Sequence, residues 1–328
     1  MRRPILLILI SICFLGSHNI YSQESALKLI ATIPMPHVTG RIDHLAIDIK
    51  RRIIFVAALG NNTIEVVDIK SKKVIHTIKG LHKPQGIKFI PESNTVIVAN
   101  GDTGECDIFN AETFQKMYSV KLSGDADNVR LDPSDKKIYV GYADGAIAII
   151  DAVSFKLLSE IKLTGHPESF QLDKASKRIF VNVPDSKQIE IINLESNSVK
   201  GSWKMTEEKN YPMALDESNH RVFVGFRQPA KILIIDTETG KTVSSLGISD
   251  DVDDVFYNSV SKQIYLSCGR GYIDIIKQEN PDTYKAEEKV ASRSGARTCL
   301  FVPELKLLAV AAPSGDNIDA ALLVYQIK

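Results

Sequence analysis

The stretch Gly124–Asp132, GDADNVRLD, sets Asp125, Asp127, Asn128 and Arg130 where an apolar strand is about to begin. A strand entering a core has no packing use for so much polarity, so these side chains are candidates for chemistry. Two other short stretches match it in kind: GRIDH, with Arg41, Asp43 and His44, and GHPES, with His166 and Glu168. An imidazole beside a carboxylate can be tuned to exchange protons near neutral pH. That makes His44, Asp127, His166 and Glu168 acid–base candidates. Guanidinium forks grip carboxylates and oxyanions, which adds Arg130 and Arg297 to the catalytic set and Arg41 and Arg227 to a ligand-binding set. His82, Gln85, Asn128 and Tyr211 complete the ligand-binding candidates. Asp43, Glu168 and Asp254 offer hard oxygen ligands of the kind Ca²⁺ takes; the histidines would turn such a site toward another divalent metal. Nucleophilic catalysis is poorly supported, because Ser169 lacks an elbow motif and Cys299 alternates with apolar positions.

The elements that must position these residues come from a repeat. LAIDIKRRIIFVA, GIKFIPESNTVIVA, VRLDPSDKKIYVG, FQLDKASKRIFVN, MALDESNHRVFVG, VFYNSVSKQIYLS and CLFVPELKLLAVA are variants of one strand–corner–strand unit. They recur at about 41 to 45 residues, the period of a four-stranded propeller blade. Within the third copy the pattern predicts half-buried, alternating strands near Asp127–Asp132, Lys137–Tyr142, Ala146–Asp151 and Leu157–Leu163. The seventh copy supplies three strands before Lys328, near Thr298–Val302, Leu307–Ala312 and Ala321–Ile327, while Ala26–Met35 is a lone strand ahead of the first blade. Pairing that strand with the last blade closes the ring and removes an edge. The expected fold is therefore all-β: a seven-bladed β-propeller, four antiparallel strands per blade, with almost no helix.

KKIYVGYADGAIAIIDAVSFKLLSEIKL resembles a YVTN-type blade, and residues 23–328 as a whole resemble the YncE-like seven-bladed propellers. The resemblance implies the fold and an exported location. It implies no single activity, since such propellers include lactonase-like enzymes, binding proteins and domains joined to redox enzymes. Gluconolactonase-type and virginiamycin-B-lyase-like propellers, which hold a divalent cation among mouth carboxylates or histidines, are similar in architecture only.

Blade geometry sorts the polar residues. Starts of the inner strands and the second-to-third turns share one face of the disc; first-to-second corners lie on the other. The corners, such as DPSDKK and DKASKR, are interchangeable polar turns. The strand starts are individual, and the candidates named above fall there or in the second-to-third turns. Function is expected at this leading mouth of the channel; a water-filled channel whose charges fasten blades is the structural alternative.

Bulk properties set the remaining bounds. Arg2 and Arg3 precede an apolar run, Pro4–Gly16, and a polar exit near Ser22, the pattern of a signal peptide over 1–22. The run is too short to span a bilayer, so the mature chain is expected to be periplasmic or secreted, with no membrane span. Among 328 residues, 40 basic side chains balance 40 acidic ones, which argues against a nucleic-acid surface. Three cysteines after cleavage, Cys106, Cys268 and Cys299, do not make a disulfide framework. The expected partner is a small polar, anionic molecule bound by a monomer. A hydrolase or lyase using the same mouth residues and a scaffold for a partner protein are the alternatives.

Overall fold

The computed structural model describes residues 25–315 and 317–328; the expected signal peptide lies outside them. Seven four-stranded antiparallel sheets form the ring. Their inner strands are Leu45–Asp48, Pro84–Ile90, Ala126–Asp132, Phe170–Asp173, Glu208–Asp216, Val252–Asn258 and Thr298–Val302, for blades 1 to 7 in that order. In blade 3 the strands that follow are Lys137–Tyr142, Ala146–Asp151 and Leu157–Lys162, within a residue of the sequence expectation. Blade 7 runs Thr298–Val302, Leu307–Ala312, Ala320–Ile327, and then Leu27–Met35 as its outermost strand. That strand pairs from Leu27 with Ile327 to Met35 with Ala320, broken by a bulge between Leu29 and Ala31. Helix among the described residues is confined to four 3-10 turns, none long and apolar enough to cross a membrane.

Half-buried alternation is not what the middle strands show. Ile53–Ala58, Thr95–Asn100 and Gln263–Cys268 are buried at every position. Each blade is sandwiched between two others, so both faces of a middle strand are covered and a continuous apolar run is the stable pattern. The core is accordingly a set of inter-blade layers. Between blades 3 and 4, for example, Tyr139, Ile147 and Ile161 meet Phe170, Ile179 and Val181, and a comparable layer lies at each of the other six interfaces. Cys106, Cys268 and Cys299 are buried free thiols in this core, and burial raises the pKa of each.

The first-to-second corners repeat one device. Arg52, Asn94, Lys136, Lys177, His220, Lys262 and Lys306 all take left-handed backbone, one per blade. An Asp ending the inner strand caps the turn in several blades: Asp132 Oδ1 accepts from Ser134 N at 3.0 Å and Asp173 Oδ1 from Ser176 N at 3.2 Å. These corners leave the opposite ends of the inner strands to hold the charged residues.

Candidate functional site

Blade 1 contributes Arg41, Asp43 and His44 from the segment just before its inner strand. Asp43 N donates to Ala57 O at 2.7 Å and Ala57 N to His44 O at 3.0 Å, so the ladder extends to the mouth and fixes both residues. Arg41 Nη2 lies 2.8 Å from Asp43 Oδ2 and 3.9 Å from Asp253 Oδ2. His44 bridges two carboxylates, with Nε2 3.6 Å from Asp43 Oδ1 and Nδ1 3.7 Å from Asp254 Oδ1. Burial would lower the His44 pKa, but Asp254, Asp43 and Asp127 outweigh it and raise it to about 10. Asp43, buried away from water, is pushed upward by that burial.

Blades 3 and 4 bring Asp127, His166 and Glu168 together, with one potential ligand atom of each lying within 4.8 Å of the others. Glu168 N donates to Asn182 O at 3.0 Å, which sets the strand start. His166 Nδ1 sits 2.6 Å from Ala143 O, a carbonyl in the second-to-third turn of blade 3, and Nε2 faces Asp127 Oδ2 at 4.0 Å. A ring that donates from Nδ1 to a carbonyl leaves Nε2 to the site. Burial opposes the charge on His166, yet Asp127 and the Ala143 carbonyl raise its pKa to about 9. For Glu168, burial and then the Asp127 charge raise the pKa to about 8. Asp127 moves the other way: His166, His44 and Arg41 overcome its burial and hold it below the ordinary range. Two neighbouring carboxyls are thus driven apart.

Asp253 is the hub of the far side. It pairs with Arg227 and lies 3.1 Å from Arg297 Nε. Burial, opposed most strongly by Arg227, leaves its pKa raised to about 6. Asp251 accepts from Arg297 Nη1 at 3.0 Å and lies 3.4 Å from Arg227 Nε. Tyr211 lies under the Arg227 guanidinium, 4.4 Å from ring centroid to Cζ. Asp251 was missed in the sequence, where it looks like one more polar residue of the SDDVDD run.

Other candidates are placed differently. Arg130 lies farther down the channel and fastens blade 3 to blade 4: Nε donates to Phe170 O at 3.0 Å and Nη2 to Ser169 Oγ at 3.1 Å, with the guanidinium over the Phe170 ring. Asp254 Oδ2 accepts from Cys299 N at 2.8 Å, joining blades 6 and 7. Gln85 donates to Asp125 Oδ1 at 2.9 Å. His82 is exposed, and Asn128 is buried with Oδ1 unpartnered among the described residues. Of the metal candidates, only Glu168 belongs to the convergent trio; Asp43 and Asp254 flank His44 instead. Beneath the mouth is a cavity of about 320 Å³, bordered by His44, Asp254, Arg130, Ser169 and Gln171 and reaching Lys88.

No family model and no curated protein matches this sequence. Its fold has solved relatives. A chain of the Kuenenia stuttgartiensis hydrazine synthase is similar with a TM-score of 0.75 at 14% identity, over 89% of this chain and 98% of that one. A chain of a mitotic checkpoint complex gives 0.77 at 12% identity, over 98% and 99%. At such identities the likeness is one of fold: a seven-bladed β-propeller.

Proposed function

We propose that this chain is an exported propeller of the YncE-like type that binds a small, polar, oxygen-rich anion at the leading mouth. One observation carries the reading: Glu168 sits beside Asp127 and His166 with its pKa raised to about 8. At neutral pH that mouth holds protons on Glu168, His166 and His44, and Arg41 stands half-open at 44% side-chain exposure. His166 and Glu168 are donors that converge beside Asp127, and Arg41 and His44 border the same mouth, a complement of carboxylate, hydroxyl or lactone oxygens. The YVTN-like repeats and the charged, then apolar, amino-terminal segment support the assignment and the export.

A second reading, a hydrolase or lyase acting on a lactone, sugar or related ester, is favoured by the divergence of the two carboxyls. Asp127 kept ionised and Glu168 kept protonated are the two halves of an acid–base pair. In a metal-assisted form, Asp127, His166 Nε2 and Glu168 would hold the ion, and their mixed nitrogen–oxygen set suits a first-row divalent metal better than Ca²⁺. Such an ion would supply Lewis-acid polarisation of a substrate oxygen.

Glu168→Gln separates these readings. It preserves a neutral hydrogen-bond donor, so calorimetric binding of sugar acids should persist in this variant and be lost in Glu168→Ala. Loss in both variants, together with a melting temperature raised by Zn²⁺ or Mn²⁺ in the parent protein alone, would reject the proton-donor site in favour of the metal.

A further inference from the structure

The inner strands end at a second mouth. There, beyond the central cavity, lies a vestibule of about 700 Å³, within the range of pockets that enclose small organic ligands, about 300–1,000 Å³. Its wall is apolar: Ile47, Phe89, Leu131 and Leu300 from inner strands of blades 1, 2, 3 and 7, with Pro91 and Pro133 from the corners. Lys50 and Glu304 stand among its polar lining. The first-to-second corners were expected to be interchangeable solvated turns, but in blades 1, 2 and 3 their residues build this wall.

Lys88 marks its inner end, because it borders both this vestibule and the central cavity. Lys88 is exposed, and it lines both of these spaces. Other cations along the channel are held: Arg41 and His44 by aspartates, Arg130 by a carbonyl and a hydroxyl of blade 4. The Lys88 side chain has no hydrogen bond or ion pair among the described residues, while its backbone pairs with the strand of Ile97. Burial and the neighbouring Arg130 press its pKa down, and Glu304 opposes them only in part. An ammonium that opens onto the channel beside an apolar wall, with no carboxylate in contact, is free to pair with an anion that enters the vestibule.

We propose that the trailing-side vestibule is a binding site for an amphipathic monocarboxylate, its carboxylate on Lys88 Nζ and its alkyl or aryl body against Phe89, Leu131 and Leu300. The site is separate from the leading mouth and independent of the function proposed there. An uncharged alcohol of the same length would gain the apolar contact but not the ion pair, and acetate the reverse.

The test is titration calorimetry of the full mature chain with decanoate, below its micelle concentration. Saturable one-to-one binding is expected, weakened at least tenfold by Lys88→Met, retained by Lys88→Arg and unaffected by Glu168→Gln. Decanol binding should be indifferent to Lys88→Met. Leu131→Asp gives a second variant, expected to abolish decanoate binding by repulsion while circular dichroism stays unchanged. Non-saturable binding, equal binding by Lys88→Met, or loss in Glu168→Gln would each overturn the proposal.

Discussion

His44 Nδ1 lies 3.7 Å from Asp254 Oδ1, and the two residues belong to blades 1 and 6, which are not neighbours in the ring. The pair spans the mouth past blade 7, the blade assembled from both ends of the chain. The channel is therefore narrowed by charge at its leading mouth, and the cavity beneath has His44 and Asp254 at its border. This crossing contact makes the mouth one electrostatic unit rather than seven separate strand starts.

Stability should fall as pH rises, because most of the shifted mouth groups bind protons more tightly when folded. Glu168 moves from 4.5 to about 8, His166 from 6.5 to about 9 and His44 from 6.5 to about 10. A raised folded pKa contributes stability fully present below the unfolded value and lost as pH climbs through the folded one. The three windows overlap between 6.5 and about 8, where the decline should be steepest. Asp127, held low, acts oppositely and weakens the fold only in acid. Urea midpoints at pH 6 and pH 9 should differ in this direction, and Glu168→Gln should flatten the slope. An unchanged slope would show that Glu168 is ionised like an exposed glutamate.

Arg130 and Glu168 should respond differently to truncation. Arg130→Ala removes hydrogen bonds to Phe170 O and Ser169 Oγ, so a loss of about 1–3 kcal/mol of stability is expected from the acceptors left buried. Glu168→Ala removes a carboxyl that is costly to ionise in place, and should abolish ligand binding with the melting temperature held or raised. Ser134→Ala, at a capped corner on the opposite face, should leave binding unchanged. Binding retained in Glu168→Ala would return the mouth to a blade-fastening role.

Gly86 controls where Asp127 sits. A Cβ at Gly86 would come 1.9 Å from the Asp127 carbonyl oxygen, so any side chain there forces the inner strands of blades 2 and 3 apart. Gly86→Ala should cost about 1–3 kcal/mol, the scale of overpacking, and should also weaken binding at the leading mouth. A melting curve and a binding isotherm on one preparation check both effects; a variant with unaltered binding would show that Asp127 tolerates displacement.

The blades were legible because the corners recur and the strands between them are rich in β-branched and aromatic residues, so Lys137–Tyr142 and Ala146–Asp151 could be bounded directly. The mouth was legible because its residues differ from blade to blade while the corners do not. Pairings were not, since they depend on which side chains meet across the axis. Asp43 and Asp254 looked like partners of Glu168 in a metal set, but His44 stands between them and Asp127 and His166 take their place. Lys88 carries no comparable signal, because one lysine in GIKFIP looks like the solvent-facing position of an alternating strand. In a propeller's inner strand that position faces the channel.

The amino-terminal strand provides the last test, because ring closure rests on it. Leu27–Met35 is the outer strand of blade 7, and its Ile33 and Met35 are fully buried in the layer shared with blade 1, beside Val56 and Leu322. Removing the strand exposes the edge of Ala320–Ile327 and strips apolar cover from that layer. An exposed flat edge recruits another chain, so a protein beginning at Pro36 should unfold at lower denaturant, associate through the open edge, or do both. Supplying residues 25–35 as a separate peptide should reverse that association, because the strand is held by backbone pairing and by side chains already shaped to its groove. Size-exclusion chromatography with and without the peptide decides the matter. A truncated chain with the same elution volume and stability as the parent would mean that closure is carried by the three strands at the carboxyl end alone.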